Sequence, residues 1–462
     1  MNTEQARLLK MPHQSETVQE QGELVASGMD SLLVRGGNAL EGRIAVSGAK
    51  NAALPLMCAA LLSDAPLHLD NMPMGLGDLR VLSLLLGHFG VDIEMDEHAM
   101  KLNAGNAAGH IAPYDLVRRM RASILTLGPL TARMGQAHVA LPGGCAIGTR
   151  PVNLHIDGLR AMGAEVEIEE GYIVARAPQG LKGARFRFPK VSVTGTENLM
   201  MAASLADGVT VIENAACEPE VVDLGICLQK MGVPIKGLGS PMITIEGVKS
   251  LKEARHSVIP DRIEAGTFMI AAVMTGGDML IESARLRDLE ALQEILIPAG
   301  AQIVQDGEDI RVLRGRDRLR PMNLETAPHP GFPTDLQAQM MALMTQAEGQ
   351  SQIAENIFEN RYMHASELMR MGADITLDGS IARVRGPSAL NAAPVVATDL
   401  RASVALVLAG LVAEGATQVQ RIYHLDRGYE NLTAKLAACG ADIQRVQPSD
   451  IKDSKQKPRV ST

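Results

Sequence analysis

Six times along the chain an apolar helix end runs into a glycine, then Ala or Val, then a short run in which apolar and polar residues alternate. The copies are HFGVDIE, AMGAEVE, KMGVPIK, PAGAQIV, RMGADIT and ACGADIQ, centred on Gly90, Gly163, Gly232, Gly300, Gly372 and Gly440. A glycine in that place fits the left-handed residue that ends a helix and turns the chain into a strand. Out of phase with it, a second element recurs: a helix of small and apolar residues, a short turn and a strand. Examples are NLMMAASLADGVTVIEN (198–214), AGTFMIAAVMTGGDMLIES (265–283) and LRASVALVLAGLVAEGATQVQR (400–421). The segments 51–71, 120–141 and 335–356 complete six.

Each unit of roughly 70 residues therefore predicts the order strand, helix, strand, helix, strand, strand. The Ala/Met/Leu-rich helices are apolar over most of their surface, which places them inside with the sheets outside. An open sandwich with ordinary amphipathic helices is the alternative that periodicity leaves standing. The repeat is long for a solenoid and its end copies show no polar caps, so closure into compact domains of three units each is expected.

Composition adds limits. Aromatic residues are 2%, Trp is absent and there are 25 Met, so the core must be aliphatic. The net charge of −9 gives no global basic field for a nucleic acid backbone, but permits a small anion in a local pocket. The longest apolar runs fall short of the roughly 18 residues of a membrane span, and no signal peptide core is present. Residues 1–30, Gln/Glu-rich and aperiodic, and the tail 447–462 are expected to be disordered. Five widely spaced cysteines with no CxxC favour neither a disulfide framework nor a zinc site, and suit a reducing cytoplasm.

Several polar residues stand out against this background. Cys145 lies at the tip of the Pro-Gly-Gly loop of LPGGCAIGTRPV, five residues before Arg150. It reads equally as an accessible thiol or as a cysteine tolerated in a turn. Cys58, Cys227 and Cys439 lie in apolar helices and read as packing residues. Lys50 opens a helix in VSGAKNAALP, where the dipole disfavours a cation unless an anion is to be neutralised; a solvated lysine is the plainer reading. Arg121 leads from PYDLVRRMRAS into a buried-looking helix and needs an anionic partner, whereas Arg118 and Arg119 fit a solvated face. Asp335 opens the helix after HPGFPT, Asp399 and Arg401 open the next unit's helix, and Arg427 follows Asp426 in a turn. For Asp335 alone, a carboxylate at a helix N-terminus is the simpler reading. Together Lys50, Arg121, Arg150, Arg401 and Arg427 imply a small, highly charged anion. No HExxH, P-loop, dinucleotide-binding glycine motif or GxSxG is evident.

In these motifs the chain resembles the enolpyruvyl transferases that act on UDP-N-acetylglucosamine. The resemblance runs from about Leu33 to Val446 through SGAKNAALP, PYDLVRRMRASI, LPGGCAIGTRPV, ENAACEPE, PDRIEAGTF, APHPGFPTD, FENRYMH, ATDLRAS and RIYHLDRGYE. The PGGC loop sets it apart from the sister enzymes acting on shikimate 3-phosphate. The resemblance implies an α/β fold, the inside-out α/β barrel, with two domains of three units each around a central cleft. Residues 31–50 with 260–446 would form one domain and 51–259 the other, with the PGGC loop as a lid.

It further implies transfer of the enolpyruvyl group of phosphoenolpyruvate to the 3-hydroxyl of the sugar, by addition and elimination with release of phosphate. The catalytic residues would be Cys145, Asp335, Lys50 and Arg427. Phosphoenolpyruvate would meet Lys50, Asn51, Arg121, Arg150, Arg401 and Arg427. UDP-N-acetylglucosamine would meet Asn51, Arg121, Arg150, Pro151, Val152, Asn153, Leu154, Lys190, Ser192, Asp335 and Ile357. Glu218, Asp261 and Asp399 match further cleft residues. No cofactor, metal, nucleic acid or membrane partner is implied, and fosfomycin would alkylate Cys145. Position 153 is Asn where many members carry Asp. Another acceptor, or a non-catalytic ligand-binding paralogue, are the rival readings.

Overall fold

The structure, a computed structural model, describes residues 30–141, 152–315 and 317–447. Cys145, Arg150, Pro151 and almost all of both expected disordered ends lie outside the described residues.

Among the described residues six four-stranded sheets share one topology. In one unit, strand Arg185–Arg187 leads to helix Val193–Ala203, strand Val209–Glu213, helix Pro219–Lys230, and strands Ile235–Lys236 and Met242–Glu246. Arg185–Arg187 pairs parallel with Val209–Glu213, which pairs antiparallel with Met242–Glu246, which pairs antiparallel with Ile235–Lys236. This is the order that the hydrophobic pattern predicts. Gly90, Gly163, Gly232, Gly300, Gly372 and Gly440 all have positive φ, between 89° and 121°, each between a helix and its strand.

The first helix of each unit is the buried one. In Ala402–Val412 (ASVALVLAGLV) every residue from Ala402 to Leu411 is buried. Its valines are mediocre helix formers, at a few tenths of a kcal/mol each, but burying a Val or Leu side chain is worth about 1.5–3 kcal/mol, so packing decides the conformation. The second helix of each unit is two-faced: in Met363–Arg370 only His364, Ala365 and Leu368 are buried. Strands such as Met242–Glu246 alternate buried and exposed residues, so one face of the sheet covers helices and the other meets solvent.

Two hydrophobic cores result. One is built from residues between 49 and 259, the other from residues between 32 and 46 together with 263–443. Strand Ser31–Arg35 pairs with both Ala416–Gln420 and Asp442–Val446, so the start of the described chain completes its last sheet. Strand Glu41–Ala45 pairs with Asp278–Glu282, and Ala254–Ser257 with Leu67–Asp70. The chain thus passes between the two halves twice, and the crossing segments lie antiparallel. Ala49 N donates to Ile259 O at 2.7 Å and Asp261 N to Ser47 O at 2.9 Å. Gly48 lies at this crossing, and a Cβ there would overlap the carbonyl oxygen of Asn71.

Candidate active site

The crossing delivers Lys50 to the junction of the halves, as the first residue of helix Lys50–Ala59 and only 7% exposed. Its ammonium faces Asp78 Oδ2 at 3.3 Å, and Arg427 Nε approaches Asp78 Oδ1 at 2.8 Å. Asp78 stands in the first turn of helix Gly77–His88, where the helix dipole favours a carboxylate. One carboxylate therefore joins a lysine and an arginine from different halves. Burial pushes the Asp78 carboxyl up, but Lys50 and Arg427 outweigh it and the net direction is down, so Asp78 stays charged. For Lys50, burial lowers the pKa, Arg401 and Arg427 act in the same direction, and Asp78 and Asp335 oppose them.

Asp335 is held from two sides. Arg361 donates to Oδ1 at 2.7 Å, and Arg401 Nε lies 3.7 Å from Oδ2. Burial would raise this carboxyl, yet Arg361, Arg401 and Lys50 together hold it far below the usual carboxylate range. Arg401 is 2% exposed; it donates to Gly428 O at 2.9 Å and Asp261 Oδ2 at 3.2 Å, and its guanidinium lies over the Tyr429 ring. Asp261 also caps helix Arg262–Thr275 by accepting from Ile263 N and Glu264 N. Asp399 Oδ1 accepts from the backbone N–H of Arg401 and Ala402, fixing the turn from which Arg401 projects. Lys50, Arg361, Arg401 and Arg427 thus face Asp78, Asp261 and Asp335 in one cluster, and the Arg427 side chain is 36% exposed.

Ile357 joins this cluster through Glu355. Ile357 N donates to Glu355 Oε1 at 2.9 Å, Thr334 Oγ1 donates to Oε2 at 2.8 Å, and Arg361 in turn donates to Thr334 Oγ1. Asn51, half-buried, follows Lys50 in its helix. Glu218, N-terminal to helix Pro219–Lys230, accepts from His329 N at 3.2 Å and so bridges the halves six residues before Asp335, which lies in the 3-10 segment Thr334–Leu336.

A second group of candidates lies on the half built from 49–259. Arg121 opens the 3-10 segment Arg121–Thr126, Asn153 and Leu154 open helix Asn153–Ala161 directly after Val152, and Ser192 caps helix Val193–Ala203 by accepting from Gly195 N at 3.1 Å. Lys190 and Asn153 are exposed. Burial, helped by the charge of Arg121, lowers His155 to about 4. Arg118 pairs with Asp115 on the surface at 3.3 Å. Cys58, Cys227 and Cys439 are buried, and burial pushes the Cys227 thiol up to about 12.

The roles of Asp78, Arg361 and Glu355 carry no local signal in the sequence. Arg361 lies within FENRYMH, but its carboxylate partner lies 26 residues away. Asp78 looks like any acidic first-turn residue, and Arg427 is 349 positions distant. Among the described residues no group of three His, Cys, Asp or Glu is placed to hold a metal ion, and no helix is long and apolar enough to cross a membrane.

Three comparisons with known proteins bear on this arrangement. The family model for EPSP synthase (3-phosphoshikimate 1-carboxyvinyltransferase) matches residues 34–436. The UDP-N-acetylglucosamine 1-carboxyvinyltransferase of Azorhizobium caulinodans is 58% identical over 428 residues, covering 90% of this chain and 100% of its own. That of Caulobacter vibrioides is 55% identical over 423 residues, covering 91% and 98%. Among solved structures, the enolpyruvyl transferase NikO from Streptomyces tendae superposes with a TM-score of 0.83 at 25% identity, over 91% of this chain and 99% of its own. An EPSP synthase from Acinetobacter baumannii gives 0.68 at 20% identity, over 90% and 100%, a likeness of fold.

Proposed function

The chain belongs to the EPSP synthase family of enolpyruvyl transferases, and from that premise we propose that the charged cluster at the junction of its halves binds phosphoenolpyruvate and presents it to a sugar hydroxyl. The protein is a transferase that moves the enolpyruvyl group of phosphoenolpyruvate to the 3-hydroxyl of UDP-N-acetylglucosamine and releases phosphate. That product commits the sugar nucleotide to peptidoglycan. A cytoplasmic location, and a part in cell wall biogenesis, cell shape and division, follow from that role.

The observation that carries the site reading is Asp335, an ionised carboxylate between Arg361 and Arg401 and near Lys50, which Asp78 joins to Arg427. Phosphoenolpyruvate is a phosphate and a carboxylate on one small carbon frame, and preorganised cations suit both. In the addition step the sugar oxygen bonds to C2 of phosphoenolpyruvate, Asp335 takes the hydroxyl proton, and an acid delivers a proton to C3. In the elimination step C3 loses a proton, the C2–O bond to phosphate breaks, and the enol double bond re-forms. Cys145, in the PGGC motif, is the acid of this scheme and the thiol that fosfomycin alkylates. Lys50, Arg427 and Arg401, with Arg121 and Arg150, hold the anion.

The charges also order the events. A carboxylate pressed by Arg361, Arg401 and Lys50 is a weak base. An arriving phosphate or carboxylate offsets part of that positive potential and restores basicity to Asp335. The base therefore becomes competent when the donor is in place. Asn51, Val152, Asn153, Leu154, Lys190, Ser192 and Ile357, with Pro151, contact the sugar nucleotide in this reading. Phosphate release from phosphoenolpyruvate with UDP-N-acetylglucosamine, shikimate 3-phosphate or no acceptor tests it. Release only with the sugar nucleotide is expected; release with shikimate 3-phosphate instead would replace the acceptor.

A further inference from the structure

Helix Val193–Ala203 runs through the core of the half built from 49–259, and Asn198 in its middle is 1% exposed. A buried amide must be matched by partners. Its Oδ1 accepts from Gly128 N at 2.6 Å, and its Nδ2 donates to Ile124 O at 3.1 Å and faces His155 Nδ1 at 2.8 Å. A backbone N–H can only donate and a carbonyl can only accept, so these two partners fix which way the amide points. Nδ2 then meets His155 as a donor, and Nδ1 must accept. The ring proton is therefore on Nε2, where Thr194 Oγ1 lies at 3.4 Å.

Packing brings the neighbours equally close. At Gly128 an added Cβ would overlap the Asn198 side chain and carbonyl, and at Gly158 it would overlap the side chain of Leu199. Helices Leu127–Met134 and Asn153–Ala161 are thus both docked on this stretch of the central helix through glycines. The segments joined at this one amide are the ones that carry the candidate nucleotide-sugar residues: Arg121 three residues before Ile124, Val152–Leu154 just before His155, and Lys190 and Ser192 at the start of the central helix.

We propose that Asn198 is the positioning residue of the nucleotide-sugar half of the site, holding His155 as the neutral Nε2–H tautomer and fixing these segments relative to one another. This rests on the reading of those segments as the UDP-N-acetylglucosamine contacts. Asn198 touches no reacting atom; it acts through the backbone of the Arg121 segment and through His155.

Two measurements test it. In nitrogen-15-labelled protein, long-range proton–nitrogen correlation spectra of the histidine rings, with His155 assigned by its loss in His155→Gln, should show an unprotonated Nδ1 and a protonated Nε2 at neutral pH. An Nδ1–H tautomer or an imidazolium overturns the proposal without reference to any substrate, and needs no Asn198 variant to fold. In Asn198→Asp, an oxygen replaces the donor facing Ile124 O and His155. The dissociation constant for UDP-N-acetylglucosamine should rise roughly tenfold or more, in keeping with the loss of a buried hydrogen bond. The KM for phosphoenolpyruvate at saturating sugar nucleotide should rise several-fold less, because Lys50, Arg401 and Arg427 lie outside these segments and only the Arg121 part of the donor site is joined to Asn198. Unchanged sugar-nucleotide affinity, or equal loss for both substrates, overturns the proposal. Wild-type protein that does not bind UDP-N-acetylglucosamine overturns the functional reading and the positioning role with it, while the tautomer stands as measured.

Discussion

Changing Asp335 to Asn keeps the shape of the site and removes one charge from it. Two charges about 4 Å apart at an effective dielectric near 20 attract by about 4 kcal/mol, and breaking a buried pair costs about 3–5 kcal/mol in stability. Asp335 has two such partners, Arg361 at 2.7 Å and Arg401 at 3.7 Å. Neither is left bare by the change. Arg361 keeps Thr334 Oγ1 at 2.9 Å, Arg401 keeps Asp261 and Gly428 O, and the amide oxygen can still accept. The stability loss should sit at the lower end, about 3 kcal/mol. Turnover should fall on the order of 100-fold or more, because an amide cannot take the hydroxyl proton. Binding of phosphoenolpyruvate should hold or tighten, because a negative charge has left a cluster of cations proposed to hold an anion. Phosphate-release kinetics at varied phosphoenolpyruvate and saturating UDP-N-acetylglucosamine separate the two effects, and thermal unfolding gives the third. Turnover within tenfold of wild type, or donor affinity falling in step with turnover, would refute the assignment of Asp335 as base.

Three further outcomes are expected. Fosfomycin should label Cys145 and none of the buried Cys58, Cys227 and Cys439, as read by peptide mapping; Cys145→Ala should lose both labelling and turnover, while Cys145→Asp should resist fosfomycin and keep some turnover. Asp78 is held below its ordinary 3.8 by Lys50 and Arg427 against the opposing effect of burial; its contribution to stability is complete above that value and lost as pH falls below it, so Asp78→Asn should be less stable than wild type at neutral pH and approach it under acid in unfolding titrations. Gly48→Ala should destabilise the crossing between the halves and lower the unfolding midpoint by several degrees, since the new methyl meets the backbone of Asn71 and not a movable side chain.

What the sequence made legible was local. The six glycines and the small-residue helices encode unit order and the inside-out layering, because backbone sign and burial leave marks within a few residues. The charged residues at turns were visible as candidates for the same reason: Lys50 at a helix start and Arg401 after Asp399 are anomalies of position. What stayed hidden was pairing. Asp78 with Arg427, Arg361 with Asp335, and Asn198 with Gly128, Ile124 and His155 join residues between 26 and 349 positions apart. No periodicity records such contacts. Asn198 reads in sequence as one polar residue in an apolar helix, and only the register of three packed segments gives its amide a function.

The central claim is that this charged cluster joins phosphoenolpyruvate to the 3-hydroxyl of UDP-N-acetylglucosamine. The most direct test incubates the purified protein with carbon-13-labelled phosphoenolpyruvate and UDP-N-acetylglucosamine and follows the label by carbon NMR and the product by mass spectrometry. The account predicts the labelled enolpyruvyl group in ether linkage to the sugar, one inorganic phosphate for each molecule formed, and both products formed on the order of 100-fold or more slowly when Lys50 or Asp335 is neutralised. Labelled phosphoenolpyruvate recovered intact beside a folded wild-type protein, or label on another position of the sugar, would contradict it.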